Sequence, residues 1–289
     1  MCGNIIRLAC VVLLAVGVSG CFIIERMVFP VWEENYFEEP PADVGPYDVF
    51  ERRVEVPDGA DGSAFGITIF EPKEVAGALP AFVWVMGSNV QAYYHQSLHE
   101  TLASWGYVVI VPDTRPLRFT DFRYHRRIVQ LALQTVDMAL AGALDVTVDA
   151  ERIAVGGYSI GGPLAAFTAA QDKRIDQLIF WAPDGTPVWY GVDPPTLYSE
   201  VTQPALYVLG SLDSSAGSDG YPKEMQALMP ASDSEAFVIP GGVHLYFQQP
   251  VGADGRNPDT DITRFEQQGI AIETTRRHLD ERFGIVREE

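Results

Sequence analysis

Two stretches, Ala81-Phe82-Val83-Trp84-Val85-Met86 and Tyr107-Val108-Val109-Ile110-Val111, are apolar at every position and stop at Gly87 and Pro112. Runs this short are not helices, and a strand with one wet face would alternate. Each is therefore expected to be a strand covered on both sides. Between them, Tyr94, Leu98, Leu102 and Trp105 recur at helical spacing up to Gly106. Strand, helix, strand in that order demands a crossover, hence parallel strands.

The rest of the chain repeats the alternation. Arg52–Val56 and Phe65–Phe70 read as an antiparallel pair at a sheet edge, with turn residues Pro57-Asp58-Gly59 and Asp61-Gly62-Ser63 between them. Strands are expected at Ile153–Val155, Gln177–Trp181, Ala205–Leu209 and Ala236–Ile239. Helices are expected at Arg126–Leu144, Ile160–Ala170 and Pro222–Leu228, with a last one at Asp261–Phe283 whose inner face carries Phe265, Ile272 and Leu279. No internal repeat interrupts this. A single α/β domain follows, with a mostly parallel central sheet flanked by helices on both faces.

Ahead of it lies a targeting segment. Arg7 precedes Leu8–Ile24, seventeen residues without a charge, and Val18-Ser19-Gly20-Cys21 sets two small residues before a cysteine. This resembles the lipobox of bacterial lipoproteins, in which the cysteine is acylated. Competing readings are an uncleaved membrane-spanning anchor and plain secretion. The expected organisation is a lipoprotein signal peptide over 1–20, a Glu- and Pro-containing tether over 21–46, and the domain over 47–289. That puts the protein in a bacterial cell envelope, outside the cytoplasm, held to the membrane by a lipid at Cys21. All three cysteines, Cys2, Cys10 and Cys21, lie within the first 21 residues, so the domain has neither disulfide nor thiolate metal site. Apolar residues at 47% exclude a disordered chain. Twenty Lys and Arg against 39 Asp and Glu give a formal charge of −19, which argues against nucleic-acid partners.

The chemistry is carried by Gly157-Tyr158-Ser159-Ile160-Gly161-Gly162, between a short strand and a small-residue helix. G-x-S-x-G in that setting is a nucleophile elbow, a tight turn that lifts a serine to the carboxyl edge of a sheet. Such elbows order their partners Ser, then acid, then His. Strand Ala205–Leu209 runs into Gly210-Ser211-Leu212-Asp213, and strand Ala236–Ile239 into Pro240-Gly241-Gly242-Val243-His244. Asp213 and His244 are the expected partners of Ser159, with Asp184 and Asp219 as alternative acids. An oxyanion would be met by the backbone N–H of Ile160 and by one from Gly87-Ser88-Asn89, best Ser88. Asn89, Trp181 and Trp189 are candidates for substrate contact, the tryptophans being equally readable as core. His95 and His99 share a helical face but lack a third ligand, and read as exposed rather than metal-binding. His278, beside Arg276 and Arg277, reads as solvated, and Arg123, Arg126 and Arg127 as a solvated basic cluster.

From about Phe50 to Phe283 the chain resembles the α/β-hydrolases. It is most similar to the dienelactone-hydrolase-like group that holds cutinase-like bacterial polyester hydrolases, chlorophyllases and platelet-activating-factor-acetylhydrolase-like esterases. Leu98–Asp113, Gly157–Gly162 and Gly241-Gly242-x-His244 carry the likeness. It implies an α/β-hydrolase fold, Ser159, Asp213 and His244 as catalytic triad, and hydrolysis of a small ester with no metal or organic cofactor. Several features depart from the group. Met86-Gly87 stands where many relatives have His-Gly, and no cystine lies near the histidine loop. Ser88 replaces an aromatic of the polyester hydrolases, and Ser159 the cysteine of dienelactone hydrolases proper. The expected function is a serine esterase, for short acyl esters or a polyester-like substrate. A thioesterase or amidase would use the same triad, and a catalytically silent envelope lipoprotein would keep only the fold.

Overall fold

The computed structural model describes residues 39–57, 64–88, 90–113, 122–183, 194–213, 221–231, 233–249 and 260–287. Its strands are β1 Val49–Pro57, β2 Ala64–Pro72, β3 Leu79–Val85, β4 Val108–Pro112, β5 Val148–Tyr158, β6 Gln177–Trp181, β7 Ala205–Gly210 and β8 Glu235–Ile239. They form one sheet in the order β1-β2-β4-β3-β5-β6-β7-β8. β1 and β2 pair antiparallel and join the edge against β4, whereas β3 to β8 run parallel. The helices are α1 Gln96–Ser104, α2 Phe122–Leu140, α3 Gly161–Gln171, α4 Pro194–Ser199, α5 Tyr221–Leu228 and α6 Arg264–Arg282. Short 3₁₀ turns stand at Ala92–His95 and His244–Phe247. This is the α/β-hydrolase architecture in one domain.

The continuous apolar runs are explained by two cores. Val83, Val85, Val108 and Ile110 face one side, packed by α2 and α3. Phe82, Trp84, Tyr107 and Val109 face the other, packed by α1 and α6. Burying such a side chain stabilises the fold by roughly 1.5–3 kcal/mol, so a polar residue at any of these positions would be costly. Helix α3 is buried from Gly161 to Ala169, because it is enclosed by the sheet and by α2 and has no wet face.

The chain ahead of the sheet is docked where it is described. Gly45 N–H donates to Ser104 Oγ at 2.8 Å, Tyr47 N–H to the Ser104 carbonyl at 3.2 Å, and Trp105 Nε1 to the Asp43 carbonyl at 2.9 Å.

Several expectations are corrected. His95 and His99 are 1% and 0% exposed. They stand between α1 and the sheet, with His95 against Trp84, Tyr158 and Trp181, and His99 against Phe70. His278 is also buried, its Nδ1 3.7 Å from Glu235. Phe265 is exposed, while Ile272 and Leu279 face inward as expected. A short helix, α4, stands between β6 and β7, where the sequence pattern predicts no element.

Candidate functional site

Parallel strands end at the same edge, so β3, β5, β7 and β8 deliver four loops to one rim. β5 ends at Tyr158, and Ser159 follows with φ 54°, the left-handed region that costs a non-glycine residue about 1–3 kcal/mol. The turn is held because Ser159 N–H donates to the Trp181 carbonyl at 3.0 Å, and Gly162 N–H to the Ser159 carbonyl at 3.0 Å. It also needs glycine. A Cβ on Gly161 would stand 2.2 Å from the Val85 carbonyl oxygen, and one on Gly157 would stand 2.3 Å from Gly161 backbone. The elbow thus sits directly on the end of β3, which brings the Gly87-Ser88 loop beside Ser159. A Gly161→Ala substitution should therefore lower stability by about 2–4 kcal/mol, because neither clashing group is a flexible side chain. A wild-type urea midpoint for this variant would contradict the packing described.

Beyond β7, Asp213 meets His244: the imidazole Nδ1 lies 2.8 Å from Asp213 Oδ2, with the two side chains 14% and 8% exposed. The two loops are laced by backbone. Leu212 N–H donates to the Gly242 carbonyl at 2.8 Å and Ser211 N–H to the Ile239 carbonyl at 3.0 Å. Gly210 and Gly242 approach so closely that a Cβ on Gly210 would lie 2.4 Å from the Gly242 oxygen. An aspartate held here can only accept, so it fixes the proton on Nδ1 and leaves Nε2 with a free lone pair.

The His244 loop is clamped by residues that the sequence did not flag. Buried Gln267 on α6 holds both polar groups of Val243, accepting from its N–H at 2.9 Å and donating to its carbonyl at 2.8 Å. Arg264 donates to the Leu245 carbonyl and, at 2.6 Å, to that of Gln248. Tyr158 packs its ring on the imidazole of His244 at 4.9 Å. A buried glutamine on a helix gives no periodic signal, so Gln267 was not legible in advance.

The structure thus brings Asp213 and His244 together and sets Ser159, 9% exposed, one residue from the aromatic ring that His244 packs on. Among the described residues no hydrogen bond joins Ser159 Oγ to His244, and the N–H groups of Ile160 and Ser88 have no acceptor. Trp181, a possible wall of the acyl pocket, is instead core. It is 1% exposed, its indole N–H donates to Thr275 Oγ1 at 2.9 Å, and it packs edge-on against Trp84. Asn89, Trp189, Cys21, Asp184 and Asp219 lie outside the described residues.

Burial pushes the His95 imidazole down to about 3 and holds His99 well below its ordinary value, His95 adding to the effect on His99. Both rings are neutral over the physiological range. They face the protein interior behind Tyr158.

Residues 39–263 match the family described as PETase, PET hydrolase-like. Among curated proteins no sequence matches. Of solved structures, a putative dienelactone hydrolase from Klebsiella pneumoniae subsp. pneumoniae MGH 78578 superposes with a TM-score of 0.63 at 18% identity, over 81% of this chain and 99% of its own.

Proposed function

The chain belongs to the PET hydrolase-like family, and from that premise we propose that it is a serine hydrolase of carboxylic esters working through an acyl-enzyme. The observation that carries the reading is the 2.8 Å contact between Asp213 and His244 Nδ1, which leaves Nε2 as a base at the rim that holds Ser159. In this reading Nε2 takes the Ser159 proton as Oγ attacks the ester carbonyl carbon, and Asp213 stabilises the imidazolium. The N–H groups of Ile160 and Ser88 receive the oxyanion. Each such donor lowers the barrier by roughly 2.7–4 kcal/mol, and the N-terminus of α3 adds its positive end. The imidazolium then gives its proton to the departing alcohol. Water, deprotonated by the same Nε2, releases the acid and restores Ser159.

Full-length protein in detergent micelles should hydrolyse p-nitrophenyl butyrate, with turnover falling along the series towards palmitate. A fluorophosphonate should label the peptide containing Ser159, read by mass spectrometry. Labelling of a different residue would overturn the assignment. Absence of both turnover and label would leave a silent envelope protein, and preference for thioester or amide analogues would move the substrate class. A short acyl or polyester-like ester is the proposed substrate.

The proposed setting is the cell envelope, with Cys21 acylated and the described domain outside the cytoplasm. Cys21→Ala should move the protein from the membrane to the soluble fraction. Retention in the membrane would favour a spanning anchor over a lipid.

A further inference from the structure

The anchors of the His244 turn differ in what they hold it to. Gln267 and Arg264 tie it to α6, and the backbone bonds at Leu212 and Ser211 tie it to the loop of Asp213. None of these fixes the distance from His244 to the nucleophile, because none belongs to the strand that carries Ser159. Tyr158 does. It is the last residue of β5, directly before Ser159, and is 1% exposed.

Its hydroxyl donates to the His244 carbonyl at 3.3 Å and accepts from Gln248 Nε2 at 2.8 Å. A phenol has one proton to give and lone pairs to receive, so both bonds are satisfied at once. They grip the two ends of the 3₁₀ turn His244–Phe247, its first residue and the one that follows it. The buried ring contacts the imidazoles of His244, at 4.9 Å, and His95, at 5.1 Å, which restricts its movement. Gly87 leaves the room for it: a Cβ there would stand 2.8 Å from Tyr158 Cδ1.

We infer that Tyr158 and Gln248 are positioning residues for the catalytic base, the phenol acting as a strut that holds His244 at reacting distance from Ser159. The inference rests on the reading in which Ser159 and His244 react. Effective catalysis depends on geometry within about 1 Å, and a misplacement of that size costs on the order of 10²-fold in rate. Tyr158→Phe keeps the ring and removes the two hydrogen bonds described, so a smaller displacement is expected from it.

The test is kinetic. With p-nitrophenyl butyrate, Tyr158→Phe should lower kcat about 10-fold and leave KM within about twofold, since the acyl and alcohol contacts are untouched. Phosphonylation of Ser159 should slow by the same factor. Gln248→Leu should give a smaller loss of the same kind. The double variant should be no worse than Tyr158→Phe, because both act through one strut. A purely structural role would lower the melting temperature and leave kcat per folded molecule unchanged. Wild-type kcat and phosphonylation rate in both single variants would overturn the inference. Should Tyr158→Phe fail to fold, half-exposed Gln248 still carries the test. His244→Ala run alongside separates the two layers. If it retains activity, the Ser–His reading itself fails. If it is dead while Tyr158→Phe and Gln248→Leu are normal, only the strut is lost.

Discussion

Replacing Ser159 or His244 with alanine should lower kcat for p-nitrophenyl butyrate by about 10⁴-fold or more, with KM little changed and no further loss in the double variant. The reason for the plateau is that the proposed mechanism has the two groups perform one step: an unactivated hydroxyl is as inert as an absent one. What remains, on the order of 10³-fold over water, is the share of the oxyanion donors and of substrate binding. Asp213→Asn should fall by about 10⁴-fold for a different reason. The Asn amide can donate to His244 Nδ1, which drives the imidazole proton to Nε2 and leaves no lone pair facing Ser159. Since the 2.8 Å bond to Nδ1 is the defining contact of the site, this variant is the sharpest probe of it. Full activity in Asp213→Asn would shift the acid to Asp184 or Asp219. Urea unfolding of each variant guards against loss of fold.

The parts of this arrangement that were legible share a physical cause. Strands buried on both faces must be apolar throughout, so β3 and β4 declared themselves, and a strand followed at once by Gly157-x-Ser159-x-Gly161 has few structural uses. That Asp213 and His244 would meet was legible from position, because parallel strands end at one edge whatever their sequence separation. Side-chain burial on helices was less legible. Periodicity finds one apolar stripe, but α1 is covered by the sheet and α6, and its end by residues 43–47, so Ser97, His99, Thr101 and Ser104 are buried along with Leu98 and Leu102. A polar residue inside such a helix looks like a wet face. His278 misled for a related reason: Arg277 beside it is exposed, but Arg276 is 13% exposed and paired with Glu273 and Asp280, so the run of charges does not mark a wholly open face.

That hidden burial has a measurable consequence in acid. In the unfolded chain an imidazole takes a proton near its ordinary value of 6.5, whereas folded His95 does so only at about 3, and His99 is likewise depressed. Between those limits the unfolded state binds more protons, so stability is present above pH 6.5 and is lost as pH falls towards 3. Each histidine contributes about 1.4 kcal/mol per pH unit. By pH 4.5 His95 alone would remove about 3 kcal/mol, a large share of the stability of a modest domain, and His99 acts in the same direction. Falling pH also relieves repulsion in a chain of formal charge −19, which works in the opposite direction, so the histidine share must be isolated by substitution. All four ring nitrogens of His95 and His99 lack a hydrogen-bond partner among the described residues, so apolar replacements forfeit no bond. His95→Phe with His99→Leu should therefore keep or raise the melting temperature at pH 7. The midpoint of acid unfolding, followed by far-ultraviolet circular dichroism, should drop by about one pH unit. An unchanged acid midpoint would show that carboxylates elsewhere govern acid unfolding. A large loss of stability at pH 7 would show that the buried imidazoles are bonded after all, to groups such as an enclosed water that the apolar pair cannot replace.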